Sequence, residues 1–202
     1  MKRYPLYILP FLFFLFGCYN SSVAQLHDGD IIFQTSQSSQ SAAIQLATHS
    51  KYSHMGMIFF QDGKPYVFEA IRTVQYTPLN KWIDRGEGGK YVIKRVRNAD
   101  KLMIPQSIEK LKEVAATFKG KPYDLTFEWS DDSIYCSELI WKIYDRGIGI
   151  QVGQLKKLRD FDLTSSAVIN KMEERYAGHI PMNETVVSPG DIFSSELLQV
   201  VS

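Results

Sequence analysis

Cysteine is scarce in this sequence, and its two cysteines, Cys18 and Cys136, are not placed to pair with each other. Cys18 ends an apolar N-terminal segment with the features of an export signal, so processing there removes it or uses its sulfur as a lipid anchor. Cys136 is then a single thiol in an exported protein, a setting in which most cysteines are paired. An unpaired thiol in an oxidising compartment is a candidate for chemistry.

Other absences exclude whole classes of function. The sequence has no HxH, no HExxH and no closely spaced cysteine pair, so we predict no metal and no cofactor. It has no basic tract and a formal net charge of +1, which argues against nucleic acid as a partner. Internal repeats and low-complexity linkers are absent too. With 45% hydrophobic and 22% charged residues, the composition predicts one globular domain over residues 25–202.

The N-terminus predicts export by one of two routes. Lys2 and Arg3 precede an apolar stretch over 6–16 that is too short to span a bilayer comfortably. Residues 15–18 resemble a lipobox, which gives a signal over 1–17 and a lipidated Cys18. Residues 22–24 form a small-x-small site, which gives a signal peptide over 1–24. We therefore expect a periplasmic protein or a membrane-anchored lipoprotein of a bacterial envelope.

The hydrophobic pattern predicts a domain of mixed helices and strands. A turn and strand are expected over 29–34, and further strands over 52–60, 65–71, 74–77 and 90–96. Helices are expected over 38–47, 81–84, 107–118, 134–144 and 163–176, the fourth of them ended by Gly147.

The clearest local signal is a hairpin that brings a histidine to a carboxylate. If Asp62 and Gly63 form a two-residue turn, Gly56 faces Glu69 across the strand pair. His54 and Glu69 are then diagonal neighbours on one face, about 7–8 Å apart at the backbone. Because Gly56 leaves the space between them empty, Glu69 is predicted to orient the imidazole of His54.

Cys136 lies where a helix is predicted to begin, and the positive end of the helix dipole favours its thiolate. A thiol nucleophile also needs a base and oxyanion donors, and His54 is the candidate base. A structural interpretation remains open, because Cys136 shares a helical face with apolar residues and a lone histidine in an apolar strand is often only packed. Glu69 in an apolar strand is harder to dismiss, because a buried carboxylate needs a partner.

These motifs resemble a known enzyme family. Residues 120–124 followed by 135–138 are similar to the nucleophile region of the NlpC/P60 papain-like cysteine hydrolases. Here His54 and Glu69 precede Cys136, and together with residues 29–33 and 52–57 this order resembles the circularly permuted, YiiX-like branch. The resemblance extends over most of the mature chain, including residues 44–49, 65–70 and 184–189.

The resemblance implies an α+β, papain-like, circularly permuted fold with the nucleophile helix packed on an antiparallel sheet. It also implies Cys136 as nucleophile, His54 as base, Glu69 as the orienting residue and Tyr123 as a side chain that helps the oxyanion site. The backbone N–H of Cys136, at the helix start, is expected to be another oxyanion donor.

Two positions depart from the common family pattern: Tyr135 stands where Asp is usual, and Glu138 where Gly is common. We expect these changes to reshape the pocket and weaken the case for peptidoglycan specificity. The sequence thus predicts a cell-envelope thiol hydrolase that cleaves an amide or ester bond through a Cys acyl-enzyme. An acyltransferase on lipid or acyl substrates and a silent lipid- or ligand-binding module remain open. Expected partners are a small amide, a peptidoglycan peptide or an acyl-lipid, with membrane association through a lipidated Cys18.

Overall fold

A six-stranded antiparallel sheet organises the computed structural model, which describes residues 25–201. The strands are β1 Ile31–Gln34, β2 His54–Gln61, β3 Lys64–Ala70, β4 Val74–Pro78, β5 Val92–Val96, β6 Lys156–Lys157, β7 Thr185–Val186 and β8 Leu198–Val200. The helices are α1 Ser41–Thr48, α2 Leu79–Asp84, α3 Ala99–Leu102, α4 Pro105–Phe118, α5 Cys136–Ile148, α6 Ser166–Tyr176 and α7 Pro189–Phe193. The sheet runs in the order β4-β3-β2-β1-β5-β8, and β6 pairs with β7 separately. The predicted α+β class is confirmed.

The predicted export signal over 1–24 lies outside the described residues. From residue 25 to residue 201, none of the helices has both the length and the apolar character needed to cross a bilayer.

The hairpin of β2 and β3 has the predicted register. Asp62 and Gly63 both adopt positive φ, 49° and 73°, as a tight two-residue turn requires. Gln61 pairs with Lys64, and Met57 pairs with Phe68. His54 and Glu69 therefore lie on the same face of the sheet.

The helix that carries Cys136 begins and ends later than the sequence pattern predicts. α5 starts at Cys136 and is closed by Gly149, which adopts a left-handed conformation. The prediction that Gly147 ends this helix is wrong. A Cβ at Gly147 would lie 3.0 Å from Cδ2 of Leu111, so this glycine lets α4 and α5 pack closely instead.

Two apolar clusters cover the two faces of the sheet. The larger includes Phe33, Met57, Phe68 and much of α5, and Cys136 belongs to it. The smaller surrounds Trp82, which stacks on the ring of His54 with centroids 6.0 Å apart. Since His54 is the first residue of β2, its ring lies at the end of the sheet, where the start of α5 also lies.

Candidate active site

The structure brings Cys136, His54 and Glu69 together. Nε2 of His54 lies 2.6 Å from Oε2 of Glu69, and Cys136 lies close enough to the ring to raise the pKa of His54. Because Glu69 occupies Nε2, the Nδ1 position is left for the thiol. Cys136 is 3% exposed, so a substrate must reach it through a cleft rather than across an open surface.

Glu69 is fully buried and held by three donors. Besides His54, Oγ1 of Thr77 donates to Oε1 at 2.6 Å, and Arg85 donates to the same oxygen. A Cβ at Gly56 would lie 3.3 Å from Cβ of Glu69 and 2.3 Å from Cγ1 of Val67, so glycine is needed for this close approach.

Sequence reasoning missed two of these partners. Thr77 could have been found, because the pairing of Glu69 with Gln75 makes Thr77 a diagonal neighbour on the next strand. Arg85 follows α2 with no local pattern that points back to β3.

The hydrogen bonds decide the charges of this pair. Burial alone lowers the pKa of His54, but the neighbouring Cys136 and the hydrogen bond to Glu69 outweigh that effect and raise the pKa to about 9. Burial alone raises the pKa of Glu69, but His54, Thr77 and Arg85 hold it below its usual value. The site therefore holds an imidazolium between a carboxylate and the sulfur of Cys136 at neutral pH.

Tyr123 lines the same cavity as Cys136 and is anchored there by its backbone. Its backbone N–H donates to the carbonyl of Arg72 at 2.9 Å, and its strand-like pairing with Ile134 ties it to the approach to α5. Its hydroxyl accepts a hydrogen bond from Nε2 of Gln40 at 3.1 Å. Burial and the nearby charge on Cys136 raise the pKa of Tyr123, so the hydroxyl keeps its proton. Tyr123 can thus donate to an oxyanion, as the resemblance implies.

An apolar cavity of about 90 Å³ opens beside Cys136, between α1 and α6. Its apolar lining comes from Ala43, Ile44, Ala47, Phe161, Leu163, Val168, Met172 and Val186. A second cleft, on the His54 side of Tyr123, is lined by a mixture of apolar side chains and the polar side chains of Gln34, Ser36, Gln37, Ser38, Ser53 and Arg85. Tyr123 and Gln40 line both, so an apolar space and a mixed one meet at these two residues.

A second buried carboxylate, that of Glu138, lies two residues beyond Cys136. Glu138 is fully buried, and Nζ of Lys142 lies 2.7 Å from its Oε1. The approach of Lys142 is poorly aligned, and neither oxygen of Glu138 has a well-aligned hydrogen-bond donor among the described residues. Burial raises the pKa of Glu138 to about 8, although Lys142 opposes the shift. Lys142 also binds Oδ1 of Asp131 at 2.9 Å, so Glu138 does not hold this cation alone.

Comparison with known proteins finds close relatives. Protein YiiX of Escherichia coli strain K12 is 52% identical over 178 residues, covering 88% of this chain and 87% of the relative. A crystal structure titled metalloprotein yiiX from Escherichia coli O157:H7 matches with a TM-score of 0.83 and 51% identity. That match covers 87% of this chain and 96% of the other.

That crystal structure is described as one of a metalloprotein, and a metal site in this chain would need several donor side chains around one point. Across residues 25–201, no group of three or more His, Cys, Asp and Glu side chains is placed to hold a metal ion. At the candidate site, His54 and both oxygens of Glu69 are already engaged with one another and with Thr77 and Arg85. The residues present do not fit a resident metal.

A family model described as permuted papain-like amidase enzyme, YaeF/YiiX, C92 family matches residues 25–202. The predicted assignment to the permuted, YiiX-like branch and the papain-like fold are confirmed. The chain belongs to the C92 family of permuted papain-like amidases.

Proposed function

We propose that this protein is a cell-envelope thiol hydrolase that cleaves an amide or ester bond through an acyl-enzyme on Cys136. The observation that carries the proposal is the pairing of His54 with the buried Glu69, its Nε2 lying 2.6 Å from the carboxylate, at a position where Cys136 also acts on the imidazole. Membership of an amidase family supports the reaction class.

The chemistry follows from this arrangement. The thiolate sulfur of Cys136 attacks the substrate carbonyl, and the carbonyl electron pair moves onto oxygen, where Tyr123 and the N–H of Cys136 donate. The imidazolium of His54 then gives its proton to the leaving amine or alcohol as the carbon–leaving-group bond breaks. Water, deprotonated by the neutral imidazole, attacks the thioester, which releases the acid and restores the thiolate–imidazolium pair.

The two clefts favour a substrate with unlike ends. An acyl group fits the apolar cavity, and a polar leaving group fits the cleft beside His54. At about 90 Å³ the cavity is smaller than the roughly 150 Å³ cavity that holds benzene, so it suits a short apolar segment. We therefore favour a small acyl amide or an acyl-lipid over a peptidoglycan stem peptide. An acyltransferase would use the same acyl-enzyme with an acceptor other than water.

The decisive experiment incubates the purified protein with two panels, peptidoglycan stem peptides and acyl amides or acyl-lipids of graded chain length. Intact mass measurement follows acyl-enzyme formation on Cys136, with Cys136→Ala as the control. We expect an adduct from the acyl panel and none in Cys136→Ala. If iodoacetamide labels the thiol but neither panel gives an adduct or a product, the hydrolase proposal fails and a binding module replaces it.

Export is part of the same proposal. Mass spectrometry of the native N-terminus distinguishes its two forms. A diacylglyceryl-Cys18 start indicates membrane anchoring, and a Gln25 start indicates a soluble periplasmic form. An intact Met1 on protein recovered from the cytoplasm would contradict both.

A further inference from the structure

The hydroxyl of Tyr123 is the last member of a chain of three side chains that come from separate elements. Arg175, near the end of α6, donates through Nη2 to Oε1 of Gln40, the residue that precedes α1. Nε2 of Gln40 in turn donates to the hydroxyl of Tyr123 at 3.1 Å. The guanidinium of Arg175 is itself held over the ring of Phe127, 4.6 Å from the ring centroid.

The chemistry of these groups allows a single direction for the chain. A guanidinium has donors and no acceptor, so the atom of Gln40 that faces Arg175 must be the amide oxygen. The amide nitrogen then faces Tyr123, and it too can only donate. The Tyr123 oxygen must therefore accept from Gln40, which leaves its own proton for another acceptor. Since Tyr123 and Cys136 line the same cavity, the carbonyl oxygen of a substrate bound at the thiol is a candidate acceptor for that proton.

The charge of Arg175 acts in the same direction. It lowers the pKa of Tyr123, against the stronger effects of burial and of the charge on Cys136. Linked hydrogen bonds polarise one another, so a cation at the far end makes the Tyr123 hydroxyl a better donor. This help matters most when the substrate oxygen becomes negative, as it does only near the transition state.

We infer that Arg175 and Gln40 are positioning residues that set the Tyr123 hydroxyl as the oxyanion donor. This inference rests on the proposed function. The competing explanation is structural. In it, the hydrogen bond between Arg175 and Gln40 holds α6 against α1, and the cavity depends on the packing of these two helices.

Gln40→Glu separates the two explanations. A glutamate still accepts a hydrogen bond from Arg175, and its negative charge strengthens that contact, so the link between α1 and α6 is kept. Its second oxygen, however, can only accept, so the Tyr123 proton turns towards it and away from the substrate. A purely structural role predicts a stable and active variant. Positioning predicts a stable variant with the defect of Tyr123→Phe.

The assay compares two reactions of the same thiol. Acylation of Cys136 by p-nitrophenyl butyrate, followed by nitrophenolate release and intact mass, passes through an oxyanion. Alkylation by iodoacetamide does not. We expect Gln40→Glu and Tyr123→Phe each to slow acylation on the order of a hundredfold, with alkylation changed by about twofold or less and an unchanged melting temperature. The double variant should be no slower than Tyr123→Phe.

Arg175 supplies a second test. Arg175→Met should slow acylation less than Gln40→Glu does, and Arg175→Lys, which keeps a donor for Gln40, should recover most of the loss. Arg159→Met is the matched control, because Arg159 is exposed and binds Asn183 rather than Gln40 or Tyr123.

Three results would count against the inference. The positioning role is overturned, and the proposed function stands, if Cys136 is acylated as fast in Gln40→Glu as in the wild type. The same holds if the rates of acylation and alkylation fall together in that variant. If wild-type Cys136 is alkylated but never acylated, the proposed function is overturned as well.

Discussion

Glu69 and Glu138 are both fully buried, one bound to His54 and the other two residues after Cys136, yet their pKa values move in opposite directions. Glu69 receives hydrogen bonds from His54, Thr77 and Arg85. Glu138 has the poorly aligned Lys142 for a partner. Burial alone penalises either charge, so the number and alignment of donors decide which carboxylate is ionised at neutral pH. Glu69 is therefore able to orient a base. Glu138 is instead buried against Lys142.

The largest expected effect comes from removing the thiol of Cys136 or the imidazole of His54. Cys136→Ala should abolish turnover, and His54→Ala alone should slow it on the order of 10²–10⁴-fold. Because nucleophile and base act as one unit, adding His54→Ala to Cys136→Ala should cost almost nothing further. Steady-state rates of the three variants on the acyl panel measure this. Turnover that survives in Cys136→Ala would contradict the proposed role of the thiol.

The same substitution at the two carboxylates sharpens the comparison. Glu69→Gln should lower kcat/KM about tenfold or more, a loss of about 1.4 kcal/mol or more, because the imidazolium loses its charged partner. Glu138→Gln should change kcat/KM by less than about twofold, since no reacting group depends on that carboxylate. Similar losses in the two variants would break the distinction.

The pH profile should report the same difference. Since the pKa of His54 is raised to about 9, amide cleavage should fall as the pH rises through 9 and the proton for the leaving amine is lost. Glu69→Gln removes one cause of that shift, so the alkaline limb should move to lower pH, while Glu138→Gln leaves it in place. Alkylation by iodoacetamide should not fall above pH 9, because it needs no proton donor.

The smallest effect is on stability, and its sign differs between the two sites. The lowered pKa of Glu69 contributes stability that is present above its unfolded value of 4.5 and lost as the pH falls. The raised pKa of Glu138 gives a contribution that is present below 4.5 and lost as the pH rises towards 8.

Urea unfolding of both Gln variants between pH 4 and pH 9 measures these contributions. Glu69→Gln should cost about 1–2 kcal/mol at neutral pH and less under acid. The free energy of unfolding of Glu138→Gln should increase relative to that of the wild type as the pH rises through that range. Parallel stability curves for the two variants would refute the opposite pKa shifts.

Local patterns were sufficient for the part of the site that lies on one hairpin. The positive-φ turn at Asp62 and Gly63 sets a two-residue loop, and side-chain alternation then puts His54 and Glu69 on one face. The helix ends were harder to predict. Gly147 lies inside α5, where the close approach of α4 requires a glycine, and it does not end the helix. Cys136 was a candidate nucleophile from its single thiol and its place at a helix start, whereas the role of Tyr123 came from family resemblance alone. Both roles remain predictions.

The sequence by itself therefore determined five of the six strands of the sheet, the longer helices, the register of the hairpin and the pairing of an imidazole with a carboxylate, because these depend on residues close along the chain. Only the tertiary structure decided which donors surround each buried carboxylate, and hence which one is charged. It alone joined Gln40 to Arg175, which lie 135 positions apart, and placed the apolar cavity beside Cys136. The physical reason is that desolvation and hydrogen bonding depend on every group packed around an atom, and local sequence does not specify those neighbours.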